Sequence, residues 1–134
     1  MSEIPSLRAG RDTCARCGMI VSDARFAAGY VDAGGRSVLF DDAGEALDVV
    51  AASPDLAGRL WVQDTAGGGW QRGTAARFLS LPGYATPMGS GLVAFATGPG
   101  AEAFARSVRR AGARVMTLAE AVAARSRPAP RAGR

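Results

Sequence analysis

Two cysteines and a methionine lie within six residues of one another in DTCARCGMIVSD, Asp12 to Asp23. Cys14 and Cys17 are the two cysteines of the chain, and the chain contains no histidine. Two intervening residues let both sulfurs reach one ion. Gly18 can adopt a positive φ and turn the chain, so that the sulfur of Met19 comes back toward the thiolates. The spacing therefore indicates sulfur chemistry at this stretch.

The residues alone leave four interpretations of the cysteine pair open. A structural zinc site needs four ligands, so two cysteines would require carboxylates or a partner chain. A thioredoxin-like redox pair usually lies between a strand and a helix, whereas here an apolar stretch, 19–21, follows the motif. The third interpretation is a buried or oxidised pair without a function. The fourth, a soft-metal site, is favoured because thiolate and thioether together select Cu(I).

Neighbouring residues bear on the same site. Arg11 and Arg16 place positive charge beside the cysteines, which favours the thiolate form. Met88 lies in the small-residue turn PMGSG, where a thioether within reach of solvent would complete a sulfur site; the alternative is a loop methionine that packs inward. Met116 lies in an apolar strand, and we assign it to the core.

Composition excludes several classes of protein. Without histidine there is no Ser-His-Asp or Cys-His catalysis and no two-Cys two-His zinc finger. No apolar run reaches the roughly 18 residues of a membrane-spanning helix. The chain has a net charge of +4, of which the last 29 residues contribute +7 with eight arginines. This tail lacks interleaved aromatic residues for base stacking, so we expect no nucleic-acid partner.

The hydrophobic pattern predicts the order β-β-α-β twice, with one helix from about Asp42 to Ser53 and another over 101–112. The fold class expected is α+β, with two similar ββαβ halves forming a small compact protein. TAGGGW, 65–70, is expected to connect the halves. The predicted segments are a flexible N-terminal segment 1–13, a first half 14–65, a second half 70–125 and a disordered basic tail 126–134.

The acidic residues after the second strand are assigned to helix capping. Asp42 followed by Glu45 resembles a capping box, with aspartate in place of serine or threonine. Asp41 and Asp42 would suit acid-base catalysis, but a cap explains them more simply. We therefore predict that the protein is not an enzyme.

The cysteine motif, the FDD before a helix and TPMGSGLVAFA together resemble the NosL family, copper chaperones that assist assembly of nitrous oxide reductase in denitrification. The resemblance extends over 12–117. It implies a small α+β protein that binds Cu(I) as its cargo and delivers it to a copper-receiving partner, the reductase or its associated membrane complex. Carried over to this chain, the metal ligands are Cys14, Cys17, Met19 and Met88. The two alternatives are a thiol-disulfide oxidoreductase and a dimeric binding module bridged by zinc.

The first twelve residues do not form an export signal, so the sequence as written predicts a cytoplasmic location. An export segment upstream would instead place the protein in the periplasm or anchor it to the membrane, as is typical of the family. Peripheral association with a membrane is compatible with that second location.

Overall fold

The computed structural model describes residues 3–126 and is a mixed α+β fold with two antiparallel sheets. The elements, in chain order, are β1 Ala28–Val31, β2 Ser37–Phe40, α1 Ala43–Ala52, β3 Trp61–Asp64, β4 Gly69–Arg72, β5 Arg77–Ser80, β6 Leu92–Phe95, α2 Gly98–Val108, β7 Arg114–Met116 and α3 Leu118–Ser126. Short 3-10 helices occupy Ala24–Phe26 and Pro54–Arg59.

The two halves share the topology of one ββαβ unit, to which the first sheet adds β4 at its edge. In the first sheet the order is β2-β1-β3-β4, and in the second it is β6-β5-β7. The first strand of each half is therefore central and pairs antiparallel with both the second strand and the strand that follows the helix. The predicted ββαβ pattern is confirmed in both halves.

One hydrophobic core joins the halves. It contains Phe40 and Leu47 from the first half together with Phe78 and Met116 from the second. A smaller cluster on the other face of the second sheet packs Leu79 and its neighbours against α2. Because adjacent residues of β5 are buried on opposite faces, this sheet lies between two apolar layers. Met116 is 2% exposed, as predicted for a core residue.

Two elements differ from the sequence prediction. Strand β4 begins inside the glycine-rich stretch expected to be a plain connection, and it pairs with β3. A glycine-rich sequence predicts a turn. In the structure, however, Trp70 lies opposite Gln63 of β3, and this pairing makes the segment a strand. Helix α2 ends at Val108 instead of near Gly112, because Arg109 takes the left-handed conformation that ends the helix.

The predicted basic tail, 126–134, falls outside the described residues except for Ser126, which ends α3. Within residues 3–126, no helix combines the length and the apolar character that crossing a bilayer requires.

Candidate metal centre

The cysteine motif forms a tight loop closed by its own backbone. Thr13 and Ile20 form an antiparallel bridge at its base. Inside the loop, the amide of Cys14 donates to the carbonyl of Met19 at 2.7 Å. Gly18 has φ +77°, the left-handed conformation expected from the sequence. The turn brings the main chain of Met19 back to Cys14, and the two thiols stay on one loop.

This loop is anchored on the corner between β2 and α1. The amide of Ala15 donates to the carbonyl of Leu39, the penultimate residue of β2, at 2.7 Å. The next residues of the chain include Asp41, and Glu45 follows in the first turn of α1. The cysteine loop therefore packs against the corner where β2 leads into α1.

Two thiols and two carboxylates converge at this corner. The Cys14 thiol donates to Glu45 Oε1 at 3.3 Å, and the Cys17 thiol lies 3.6 Å from Asp41 Oδ1. One ligand atom from each of the four residues lies within 4.8 Å of the others. Both cysteines are free thiols. We call this group of four residues the thiol-carboxylate pocket.

The pocket is closed on one side and open on the other. Cys14, Asp41 and Glu45 are 2%, 3% and 9% exposed, whereas Cys17 is only partly buried. Arg16 provides positive charge beside the pocket. Its guanidinium lies 3.9 Å from the Glu45 carboxylate and 3.9 Å from the carboxylate of Asp48. Asp48 in turn is held by Arg125 of α3 at 2.7 Å. Access to the sulfurs is therefore from the Cys17 side.

The electrostatic setting of Cys17 opposes the sequence expectation. Burial is the main cause that raises the pKa of the Cys17 thiol to about 12; the hydrogen bond from the Met19 backbone lowers this pKa, and the neighbouring Cys14 and Asp41 raise it. Arg16 is paired with the carboxylates of Glu45 and Asp48 on α1, each at 3.9 Å. The expected thiolate stabilisation by the arginines is wrong for Cys17, which is protonated at neutral pH.

This raised pKa predicts a loss of stability at alkaline pH. Between 9.0, the ordinary thiol value, and about 12, the unfolded chain releases a proton that folded Cys17 retains. Since the unfolded state then binds fewer protons, the stability contribution is complete below the lower value and declines as pH rises through this window. Urea unfolding of the reduced protein at several pH values should show a steeper alkaline decline than for Cys17→Ser. Parallel curves for the two proteins would contradict the assignment.

Asp42 connects this corner to the loop that carries Met88. The side chain is fully buried and caps α1 by accepting from the Gly44 amide at 2.8 Å. It also accepts from the Thr86 hydroxyl at 2.7 Å, the Met88 amide at 2.9 Å and the Ser90 hydroxyl. These donors are all neutral, and three of them belong to the second half. The carboxylate thus fixes the 86–90 loop against the beginning of α1.

The contact between this loop and α1 is too close for a side chain. A Cβ on Gly44 would overlap the Ser90 side chain, so glycine is required where α1 begins. The 86–90 loop consequently lies directly beside the first turn that carries Glu45.

The sequence-predicted ligands divide into two groups. Cys14 and Cys17 meet in the pocket, whereas Met19 and Met88 have side chains that are 57% and 40% exposed. The main chains of both methionines are tied to the site, Met19 through Cys14 and Met88 through Asp42. Both methionines are therefore exposed, and the alternative of an inward-packed Met88 does not hold.

Two residues of the pocket were missed from the sequence. The capping prediction is confirmed for Asp42, but Glu45 does not complete a capping box, since its carboxylate accepts from Cys14. Asp41 was assigned to capping and instead faces Cys17. The signal that could have found them is the position of three acids, Asp41, Asp42 and Glu45, beside an apolar strand and on the buried face of a helix.

No protein-family model matches the chain, and no curated protein matches it significantly.

Proposed function

We propose that the protein is a Cu(I)-binding metallochaperone that carries copper on Cys14 and Cys17 and delivers it to a copper-receiving protein. The observation that carries this proposal is the meeting of both free thiols in one pocket that is open on the Cys17 side. Thiolate sulfur is the ligand that Cu(I) prefers among those in proteins. The cargo ion would be held by the two sulfurs, with the exposed thioethers at the rim.

The difference in burial between the thiols suits transfer. Cys14 is 2% exposed and is held at its backbone by the loop, so it retains the ion. Cys17 is only partly buried, so an incoming donor from the partner reaches the ion from its side. A new sulfur bond can then form while the bond to Cys17 weakens. Ion release does not require unfolding of the pocket.

The thiol-disulfide alternative receives less support. In the described residues the loop is followed by a bridge residue and then an extended segment, which is not the strand-to-helix setting in which thioredoxin-like cysteine pairs usually lie. A zinc-bridged dimer is likewise less favoured, because carboxylates of the same chain already lie beside the thiols.

The client proposed from the resemblance to the NosL family is nitrous oxide reductase or its associated membrane complex. The duplicated ββαβ arrangement, with the cysteine loop and the Met88 loop meeting at one corner, is consistent with that proposal. Copper delivery is the general function, and the reductase is its specific client.

An anaerobic titration of the reduced protein with Cu(I), in competition with a chromophoric chelator, tests the copper proposal. We expect the protein to withdraw copper from the chelator up to a defined ratio. If the chelator keeps all of the copper at equal concentrations of both, the metallochaperone proposal fails.

The thioether of Met88 gives a sharper test. We expect Met88→Leu to weaken Cu(I) binding or to speed its release, because the substitution keeps the size of the side chain and removes its sulfur. The matched control is Met116→Leu, which removes a sulfur from the core and should leave both quantities unchanged. Competition titration and stopped-flow transfer to the chelator measure them. Equal behaviour of the two variants would remove Met88 from the site.

A further inference from the structure

The thiol-carboxylate pocket contains more donors than Cu(I) needs. Soft, low-coordinate Cu(I) is satisfied by sulfur, yet two carboxylates of α1 and its entry lie beside the thiols. Asp41 and Glu45 are 3% and 9% exposed, and each has an oxygen directed at a cysteine. Helix capping does not explain them, because Asp42 performs that role.

We propose that the same pocket also binds a divalent ion of the zinc class, using all four side chains as ligands: Cys14, Cys17, Asp41 and Glu45. The inference rests on the proposed function only in sharing the two thiols. It assigns the carboxylates a role in metal specificity, in which four ligands hold a divalent ion and the sulfurs alone hold Cu(I).

The distances between the donors fit a tetrahedral ion. With Zn–S near 2.3 Å and Zn–O near 2.0 Å, a sulfur and an oxygen bound to one tetrahedral zinc are about 3.5 Å apart. The two pairs described here, Cys14 with Glu45 and Cys17 with Asp41, are at 3.3 Å and 3.6 Å. The largest separation in the group is within 4.8 Å, so side-chain movements of about 1 Å close the remaining distances.

Burial and charge favour the same ion. Buried carboxylates are costly unless a cation or several donors accompany them. The Asp41 carboxylate faces a thiol, and the Glu45 carboxylate has Arg16 only at 3.9 Å, with an arginine side chain that is 47% exposed. A divalent ion at the centre of the pocket would place two positive charges in contact with both carboxylates. Cu(I), with one charge and a preference for sulfur, gains less from them.

The experiment is a pair of anaerobic titrations of the reduced full chain, one with Co(II) as a spectroscopic substitute for zinc and one with Cu(I). We expect Co(II) to give the intense visible bands of a tetrahedral ion together with thiolate-to-cobalt charge transfer, at one ion per chain. Glu45→Gln keeps the shape of the side chain and removes its charge, and it should weaken Co(II) binding at least about tenfold. Cu(I) affinity should change far less.

A matched control removes the same charge from the same helix outside the pocket. Asp48 lies within one turn of Glu45 and pairs with Arg125. Asp48→Asn therefore changes the local charge without removing a proposed ligand. It should leave the Co(II) spectrum intact. Asp41→Asn is a second pocket variant with the same expected loss, and circular dichroism of both pocket variants establishes that they fold.

The outcomes separate this inference from the copper proposal. Cu(I) binding without a tetrahedral Co(II) spectrum overturns the divalent site and leaves the metallochaperone proposal in place. A tetrahedral Co(II)-thiolate spectrum without Cu(I) binding supports the divalent site and overturns the copper proposal. If folded Glu45→Gln and Asp41→Asn bind Co(II) as tightly as the unchanged protein, the carboxylates are not ligands and the inference fails.

Discussion

Loss of both pocket thiols in Cys14→Ser/Cys17→Ser should abolish Cu(I) retention, with the apparent affinity falling by more than about a hundredfold. Serine keeps the size of the side chain but replaces a soft sulfur with a hard oxygen that Cu(I) binds poorly. Of the single variants, Cys14→Ser should lose more affinity, because Cys14 is buried and Cys17 only partly buried, and the proposal makes Cys17 the ligand that exchanges. Anaerobic competition with a chromophoric chelator measures all three.

Met116→Leu is the control for this series, since it also removes one sulfur but from the core instead of the pocket. It should bind copper like the unchanged protein. Retention of copper by the double serine variant at wild-type affinity would place the site elsewhere and end the present assignment.

Asp42→Ala should produce the largest loss of stability among single changes at the site, about 3 kcal/mol in the free energy of unfolding. The fully buried carboxylate accepts hydrogen bonds from Gly44, Thr86, Met88 and Ser90. Each of these donors loses a partner when the side chain is shortened, and a buried donor without a partner costs about 1–3 kcal/mol before water compensates for some of it. Urea unfolding monitored by circular dichroism measures the change.

Asp32→Ala is the matched control, because Asp32 also accepts from two backbone amides, those of Gly34 and Arg36, but at an exposed turn. It should cost about 1 kcal/mol or less. Similar losses for both aspartates would mean that the Asp42 network adds nothing beyond an ordinary turn or cap.

Much of the fold could be predicted from the sequence because it follows from local patterns. The pattern of apolar residues predicted the duplicated ββαβ order. Strand β4 could not be predicted, since its glycines signal a turn and its partner strand supplies the pairing. The end of α2 at Val108 was also missed, because an arginine takes the left-handed conformation that usually belongs to glycine.

The site was predictable only as far as its contacts are local. Cys14, Cys17 and the turn at Gly18 belong to one short loop, so spacing and residue type were sufficient. The partners of the two thiols are 31 and 24 residues away in the chain. From the sequence, those carboxylates were assigned to helix capping, and only the packing of the cysteine loop on β2 reveals that they face the thiols instead.

The Asp42 network also orders events during synthesis of the chain. Its donors at Thr86, Met88 and Ser90 follow Asp42 by 44, 46 and 48 residues. At about 5–20 residues per second, the ribosome needs roughly 2–10 s to add them. Throughout that interval the cysteine pair has already been synthesised, while the loop bearing Met88 does not yet exist. Under the copper proposal, a nascent chain that meets copper in this interval offers Cys14 and Cys17 but not Met88. The proposed centre is then complete only after the second half of the chain has been made.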